Sequence, residues 1–214
     1  MNLAKNLETV RRDLGSATLV AATKYVGADT IAELSRLGVT DVGENRTDSY
    51  LEKRAALSDL PIRWHFIGHL QSNKAKGVVE TIDCLHSLDS LRLAAEIQKR
   101  RTTPLDCFVE VHVSGEPSKD GVEPENLRDF VKDLAEYDRI RVVGLMGMAA
   151  EAEDAVVLET FLRLARLRDA IRAEGWLHAP CAYLSMGMSG DYRLALQAGA
   201  THVRLGSILF RSEE

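Results

Sequence analysis

The stretch TLVAATKYVGADTIAELSRLG (residues 18–38) contains the repeating unit of this sequence. Residues 18–23 form a short apolar run with β-branched side chains, which predicts a buried strand. Asp29 stands where an N-cap is expected, apolar residues follow at helical spacing, and Gly38 marks a stop, so residues 29–37 are predicted to form a helix. A strand followed by a helix in this way is typical of parallel sheets with right-handed crossovers.

The same alternation recurs along the chain. Further strands are predicted at 39–43, 63–70, 81–88, 105–113, 139–146, 180–185 and 201–206. Further helices are predicted at 47–57, 73–80, 90–100, 154–174 and 190–198, and in a segment that starts near Pro124. An amphipathic N-terminal helix is predicted from Leu3, Leu7, Val10 and Leu14, with Gly15 at its end. Eight strands exceed the usual number in an open sheet, so we predict a single α/β domain over residues 1–214, a (β/α)8 TIM barrel with an extra N-terminal helix.

The composition excludes several classes of protein. The 214 residues are 45% hydrophobic and 28% charged, with a net charge of -5, which is ordinary for a globular protein and lacks the basic excess of a nucleic-acid binder. No run approaches the length of a membrane span and the N-terminus lacks the apolar region of a signal peptide, so we expect a cytoplasmic protein. The cysteines Cys84, Cys107 and Cys181 are widely spaced, which favours reduced core thiols and no metal site.

Lys24 directly follows the first predicted strand. Barrel proteins carry their sites at the C-terminal ends of the strands, so we expect this lysine at the barrel mouth. A partly desolvated lysine amine attacks aldehydes and forms a Schiff base. Position alone is also compatible with a surface lysine that begins a loop.

Two loops rich in glycine and serine follow the seventh and eighth predicted strands, at residues 185–191 and 204–207. Loops at these places form the usual phosphate site of this fold, because backbone N–H groups there bind anions. Arg204 alternates with apolar neighbours and is expected to face the interior, where it needs a partner, either a ligand or a carboxylate. Each loop alone is also ordinary turn chemistry. Together with Lys24 on the adjoining first strand, they indicate a site for a phosphorylated ligand.

Seven segments carry a resemblance to a known family. They are AATKY (21–25), VGEN (42–45), WHFIGHLQSNK (64–74), VSGEPSKDG (113–121), GLM (144–146), LSMGMSGDY (184–192) and ATHVRLGSILF (200–210). Over nearly the whole chain, the sequence resembles the pyridoxal phosphate homeostasis proteins, the YggS/PROSC family. The resemblance implies a barrel similar to the N-terminal domain of alanine racemase, fold type III of the proteins that use pyridoxal 5′-phosphate. It also implies a protein that holds and delivers this cofactor and has no established catalytic reaction.

The resemblance further implies the residues of the site. It implies an internal aldimine on Lys24, with Arg204 against the pyridine nitrogen and with Asn45 and Met146 lining the cofactor. It places the phosphate on Ser185, Met186, Ser189, Gly206 and Ser207. The sequence departs from the family pattern at Arg46-Thr47, at His112 and at Tyr25-Val26, and these departures concern the rim of the site.

Three functions remain open from the sequence. The first is storage and delivery of pyridoxal phosphate, because a protonated Arg204 would leave the pyridine nitrogen unprotonated and weaken the cofactor as an electron sink. The sequence also stops four residues after Phe210, so we expect no second domain that supplies another base. The second is a slow amino-acid racemase or lyase, for which Tyr25 or His65 would be the second acid–base group. The third is a barrel that binds another phosphorylated metabolite.

The expected partners follow from the first function. We expect the small-molecule cofactor pyridoxal phosphate (PLP) as ligand and PLP-dependent apo-enzymes as recipients. We expect no nucleic acid or membrane as partner. Lys74, Lys76 and Lys119 are candidates for a role in transfer. We expect a monomer.

Overall fold

Eight parallel strands close into a barrel in the computed structural model, which describes residues 2–115 and 120–211. The strands are Thr18–Ala22 (β1), Asp41–Glu44 (β2), Arg63–Phe66 (β3), Cys84–Leu88 (β4), Leu105–Glu110 (β5), Ile140–Met146 (β6), Tyr183–Ser185 (β7) and His202–Leu205 (β8). Each strand pairs with the next in sequence, and β8 pairs with β1. The predicted barrel is therefore confirmed.

Helices follow most of the strands and form the outer layer. They are Leu3–Leu14 (α1), Ala28–Arg36 (α2), Thr47–Ala56 (α3), Leu91–Arg100 (α4), Leu127–Asp133 (α5), Asp154–Ala173 (α6), Tyr192–Gln197 (α7) and Ser207–Phe210 (α8). The N-terminal helix buries the four predicted apolar residues and ends at Gly15, as expected. Within the described ranges, no helix is long and apolar enough to cross a membrane.

The helix predicted at 73–80 is wrong. The chain there forms a 3-10 helix over Ser72–Lys74 and then a series of turns. Gly77 adopts a left-handed conformation with φ of 79°, which an α-helix does not accommodate. The apolar residues of this segment are still buried, so the apolar pattern was correct although the helix was not.

Several predicted boundaries also differ. Gly27 is the N-cap of α2, and Asp29 lies in its first turn, where a carboxylate favours the helix dipole. Pro124 lies in the turn before α5. The predicted strands 3 and 5 end early, at Phe66 and Glu110, because their apolar runs continue into loops that pack around the barrel mouth.

The barrel has an apolar exterior and a partly polar interior. Buried hydrophobic residues fill the layer between strands and helices, including Val157, Phe161 and Leu164 of α6. A small separate apolar cluster consists of Cys84, Phe108, Val143 and Met146. Polar side chains, among them three histidines, a serine and an arginine, are buried beside this cluster. The three cysteines are buried, as expected of core thiols.

Candidate functional site

A cavity of about 500 Å³ opens at the C-terminal ends of the strands. Its polar lining includes Lys24, Asn45, Ser189, Arg204 and Ser207, five of the residues singled out from the sequence. Its apolar lining includes Tyr25, Ile67, Met148, Met188 and Phe210. The structure thus brings the lysine, the arginine and both glycine–serine loops into one cavity.

Lys24 lies at the rim of this cavity. It follows the end of β1 by two residues and is exposed, with its Nζ 4.9 Å from the centre of the Tyr25 ring. Tyr25 itself is 86% exposed. The lysine is therefore at the expected place but more open to solvent than a partly desolvated amine would be.

A buried ion pair supports the strand ends that carry Lys24 and Asn45. Lys53 Nζ lies 2.6 Å from Glu44 Oε1 and donates to the carbonyl oxygen of Thr23 at 2.8 Å. The Thr23 hydroxyl donates to the same Glu44 oxygen at 2.6 Å. Because Thr23 and Glu44 immediately precede Lys24 and Asn45, this group, here called the Glu44 brace, fixes both residues. Sequence reasoning missed it, although the acidic Glu44 at the end of an apolar strand was a signal.

The loops after β7 and β8 meet at the part of the cavity lining beside β1. The Ser189 hydroxyl oxygen accepts from the amides of Gly206 and Ile208, both at 3.3 Å. Ser207 lines the cavity beside them. The hydroxyls of Ser189 and Ser207 thus lie at the cavity where the sequence predicted a phosphate, and the two amides orient Ser189.

Arg204 is buried, and its side chain reaches from the barrel interior to the cavity. It donates to the carbonyl oxygen of Ser185 at 2.8 Å, to the Ser185 hydroxyl at 2.6 Å and to the carbonyl oxygen of Gly147 at 3.4 Å. Burial lowers the pKa of Arg204 to about 10, which leaves it protonated at neutral pH. In residues 2–115 and 120–211 no carboxylate forms an ion pair with it, so the alternative of a carboxylate partner is not what the structure shows.

Three predicted site residues lie away from the cavity lining. Ser185 is fully buried and its hydroxyl is bonded to Arg204 and His86. The Met186 amide donates to the carbonyl oxygen of His202, so it is occupied within the barrel. Met146 belongs to the small apolar cluster in the interior. Ser185 and Met186 lie in the barrel because β7 ends at Ser185 and the chain changes direction only at Gly187, where φ is 91°.

Asn45 carries a buried acceptor that fits a ligand with a donor. Its Oδ1 has no hydrogen-bond partner in the part of the chain that the structure describes. A buried polar atom without a partner is costly, so a hydroxyl on the ligand would be favoured beside it. Pyridoxal phosphate offers an aldehyde, a phosphate, a ring nitrogen and a hydroxyl, and the residues at this cavity match these four groups.

Within each of two groups, side chains of types that can bind a metal lie close to one another. Their spacing in the sequence did not predict this. One consists of His65, Cys84 and His86, and the other of His69, Asp89 and Asp120. The imidazoles of the first group are hydrogen-bonded to each other, to Asp41 and to Ser185. Those bonds occupy the ring nitrogens, and they account for this group without a metal.

Comparison with known proteins places these observations in a family. The family model described as alanine racemase, N-terminal domain, matches residues 1–214. A pyridoxal phosphate homeostasis protein from Aquifex aeolicus is 40% identical over 212 residues, which cover 97% of this chain and 92% of that protein. This chain belongs to the pyridoxal phosphate homeostasis family. The family member from Escherichia coli K12 is 32% identical over 230 residues, 100% of this chain and 97% of that protein.

Solved structures agree with this assignment. PipY of Synechococcus elongatus, a member of the COG0325 family, superposes with a TM-score of 0.90 at 32% identity, over 98% of this chain and 100% of PipY. It has been solved both without and with PLP bound. Alanine racemase of Clostridium difficile superposes with a TM-score of 0.82 at 15% identity, which shows a shared fold, and this chain covers 60% of it. This chain thus shares its barrel fold with part of that racemase.

Proposed function

We propose that this chain binds pyridoxal phosphate covalently through Lys24 and holds it for delivery, as one cofactor-binding domain. The observation that carries the proposal is that Lys24, Arg204 and the loop residues Ser189 and Ser207 line one cavity. The relatives named as pyridoxal phosphate homeostasis proteins, and the PipY structure with PLP, support the choice of this ligand over other phosphorylated metabolites.

Each residue has a distinct task in this proposal. The Lys24 amine condenses with the aldehyde, forming a C=N bond as one water leaves. The hydroxyls of Ser189 and Ser207 hold the phosphate, and the amides of Gly206 and Ile208 hold the Ser189 side chain in place. Arg204 donates a hydrogen bond to the pyridine nitrogen, and Asn45 accepts one from the ring hydroxyl. When bound, the cofactor supplies an electron sink for carbanion chemistry.

The protein's own residues favour a holder over a catalyst. Arg204 remains protonated at neutral pH, so it donates to the ring nitrogen and cannot give it a proton. His65, one of the two candidates for a second acid–base group, is buried in the barrel and bonded to Asp41 and His86. Tyr25 is the remaining candidate, and it is almost fully exposed.

The test is reduction of the protein with borohydride in the presence of pyridoxal phosphate, followed by peptide mass spectrometry. We expect a pyridoxyl group on the peptide that contains Lys24, and its loss in Lys24→Ala. Lys132→Ala, at an exposed position of α5, is the matched control and should retain the adduct. An adduct on another lysine, or none, would contradict the proposal.

Delivery belongs to the same proposal. The exposure of Lys24 lets water or an incoming amine reach the C=N bond, so the cofactor can leave for PLP-dependent apo-enzymes in the cytoplasm. Lys74 and Lys76 are available at the surface for a role in transfer, whereas Lys119 lies outside the described residues. Loaded protein, acting as a monomer, should activate an apo-enzyme while a scavenger removes free cofactor. Activation that the scavenger abolishes would mean that transfer occurs only through solution.

A further inference from the structure

A chain of hydrogen bonds crosses the barrel interior beneath the cavity. His65 Nε2 lies 2.9 Å from Asp41 Oδ1, and His65 Nδ1 lies 2.8 Å from His86 Nε2. His86 Nδ1 lies 2.7 Å from the Ser185 hydroxyl oxygen, which accepts from Arg204 at 2.6 Å. These residues come from β2, β3, β4, β7 and β8, so the chain joins opposite walls of the barrel. We call Asp41, His65, His86 and Ser185 the interior relay.

Arg204 only donates and the carboxylate of Asp41 only accepts, whereas the Ser185 hydroxyl can accept from Arg204 and either donate to His86 or accept from it. With both imidazoles neutral, His65 Nε2–H donates to Asp41, His86 Nε2–H donates to His65 Nδ1, and the Ser185 hydroxyl donates to His86 Nδ1. This is the arrangement that we assign to the relay. Burial lowers the pKa of His86 well below its ordinary value, which agrees with a neutral ring.

This chain of polar groups lies in the barrel interior, where burial of polar groups costs free energy. Barrel interiors are mostly filled by valine, isoleucine and leucine, and buried polar groups stabilise a fold less than well-packed apolar ones. His65, His86 and Ser185 are nevertheless 0% exposed. Asp41 borders a surface cleft of about 270 Å³ that is also lined by residues of α1 and β1. The chain thus extends from that cleft to Arg204 at the cavity.

The relay acts on one nitrogen of Arg204. Both bonds to Ser185, one to its carbonyl and one to its hydroxyl, come from Nη1. That nitrogen is therefore committed to the barrel interior, and the plane of the guanidinium is held. Nη2 donates to the Gly147 carbonyl oxygen at 3.4 Å, and Arg204 is among the residues that line the cavity.

We propose that the interior relay positions Arg204 as a fixed donor to the cofactor's ring nitrogen, so that Asp41, His65 and His86 affect cofactor binding without touching the cofactor. This inference rests on the proposed function for its ligand. It assigns Ser185 to Arg204 instead of to the phosphate.

The first test uses the ligand-free protein. Ring-nitrogen chemical shifts measured by NMR at pH 7 should show both His65 and His86 neutral, with hydrogen on Nε2 and a bare Nδ1. A hydrogen on Nδ1 of His86, or a positively charged ring at either position, would overturn the relay. This result does not depend on whether the protein binds pyridoxal phosphate.

The second test compares variants by the dissociation constant for pyridoxal phosphate. His86→Leu removes both ring nitrogens and should weaken binding about tenfold, the lower end of the effect of one hydrogen bond to a charged group. His86→Gln retains a donor and an acceptor and should restore most of the loss. His178→Gln is the control, because His178 is bonded to the Val131 carbonyl outside the barrel and should leave binding unchanged.

The outcomes separate the two proposals. If circular dichroism shows that His86→Leu is folded, and this variant binds pyridoxal phosphate as tightly as the wild type, the relay is wrong although the proposed function stands. If the wild type itself forms no adduct on Lys24, the proposed function fails, and the NMR measurement still decides the bonding. If His86→Leu does not fold, Asp41→Leu against Asp41→Asn provides the same comparison at the other end, because only asparagine keeps an acceptor for His65.

Discussion

Removal of the Lys53 ammonium would leave the carboxylate of Glu44 buried behind the cavity. The Lys53 side chain is 11% exposed and that of Glu44 is 0% exposed. Breaking such a pair by removing one partner typically costs about 3–5 kcal/mol. In this site Thr23 and Ser49 still donate to Glu44, so we expect Lys53→Met to cost about 3 kcal/mol, the lower end of that range. For a chain of 214 residues this corresponds to a decrease in melting temperature of about 6–12 °C.

Urea unfolding at pH 7 measures this loss directly, and Arg46→Met is the matched control. Arg46 pairs with Asp48 at 2.8 Å, but the two side chains are 70% and 68% exposed, so solvent screens the pair and the control should lose little stability. Adding Glu44→Gln to Lys53→Met should recover part of the loss, because the unpaired charge is removed. If Lys53→Met were no less stable than the control, the Glu44 brace would not support the strand ends.

Three further predictions concern packing, protonation and the two serines. In Gly144→Ala the new Cβ would lie 2.2 Å from a carbonyl oxygen of β7, so urea unfolding should show a loss of stability of about 1–3 kcal/mol. Gly190→Ala is the control, because a Cβ there has nothing within 4 Å, and its stability should be nearly unchanged. Burial raises the pKa of Glu110 from 4.5 to about 7, so the wild type should lose on the order of 3 kcal/mol of stability as pH rises from about 4.5 to 7. Glu110→Gln should be the more stable protein at pH 8, and an unchanged difference between pH 5 and pH 8 would contradict the shift. Ser189→Ala should reduce the preference for pyridoxal phosphate over pyridoxal, whereas Ser185→Ala should weaken both ligands equally; titration with the two ligands distinguishes these effects.

The barrel could be predicted because its signals are local. Each strand is a short apolar run and each helix carries its own apolar stripe, so no knowledge of distant contacts was needed. The helix expected at 73–80 failed for an equally local reason that the pattern does not contain. The apolar spacing there is compatible with a helix, but Gly77 takes a left-handed conformation and turns the chain.

The residues of the cavity and the interior also divide into those with a local signal in the sequence and those without one. Lys24 and Ser189 were located because the end of a strand in the sequence is the mouth of the barrel in space, and Arg204 because residues alternate along a strand. The bonds of Ser185 could not be found in this way. Its partner His86 is 99 positions away in the sequence and on a strand that does not adjoin its own. Such contacts depend on how the interior of the closed barrel is filled.

Under the proposed function, the two buried networks bear on how the protein stays folded after the cofactor leaves. Glu44 has its cation in Lys53, and Arg204 has its acceptors in Ser185 and Gly147, so both charges are satisfied by the protein itself. Among the described residues that line the cavity, Asn45 holds the buried side-chain atom left without a hydrogen-bond partner. Departure of the cofactor would therefore uncover few unsatisfied groups, and the free energy of unfolding would depend on it mainly through mass action. A protein with such a site can release its ligand and remain folded. Delivery of the ligand requires this property.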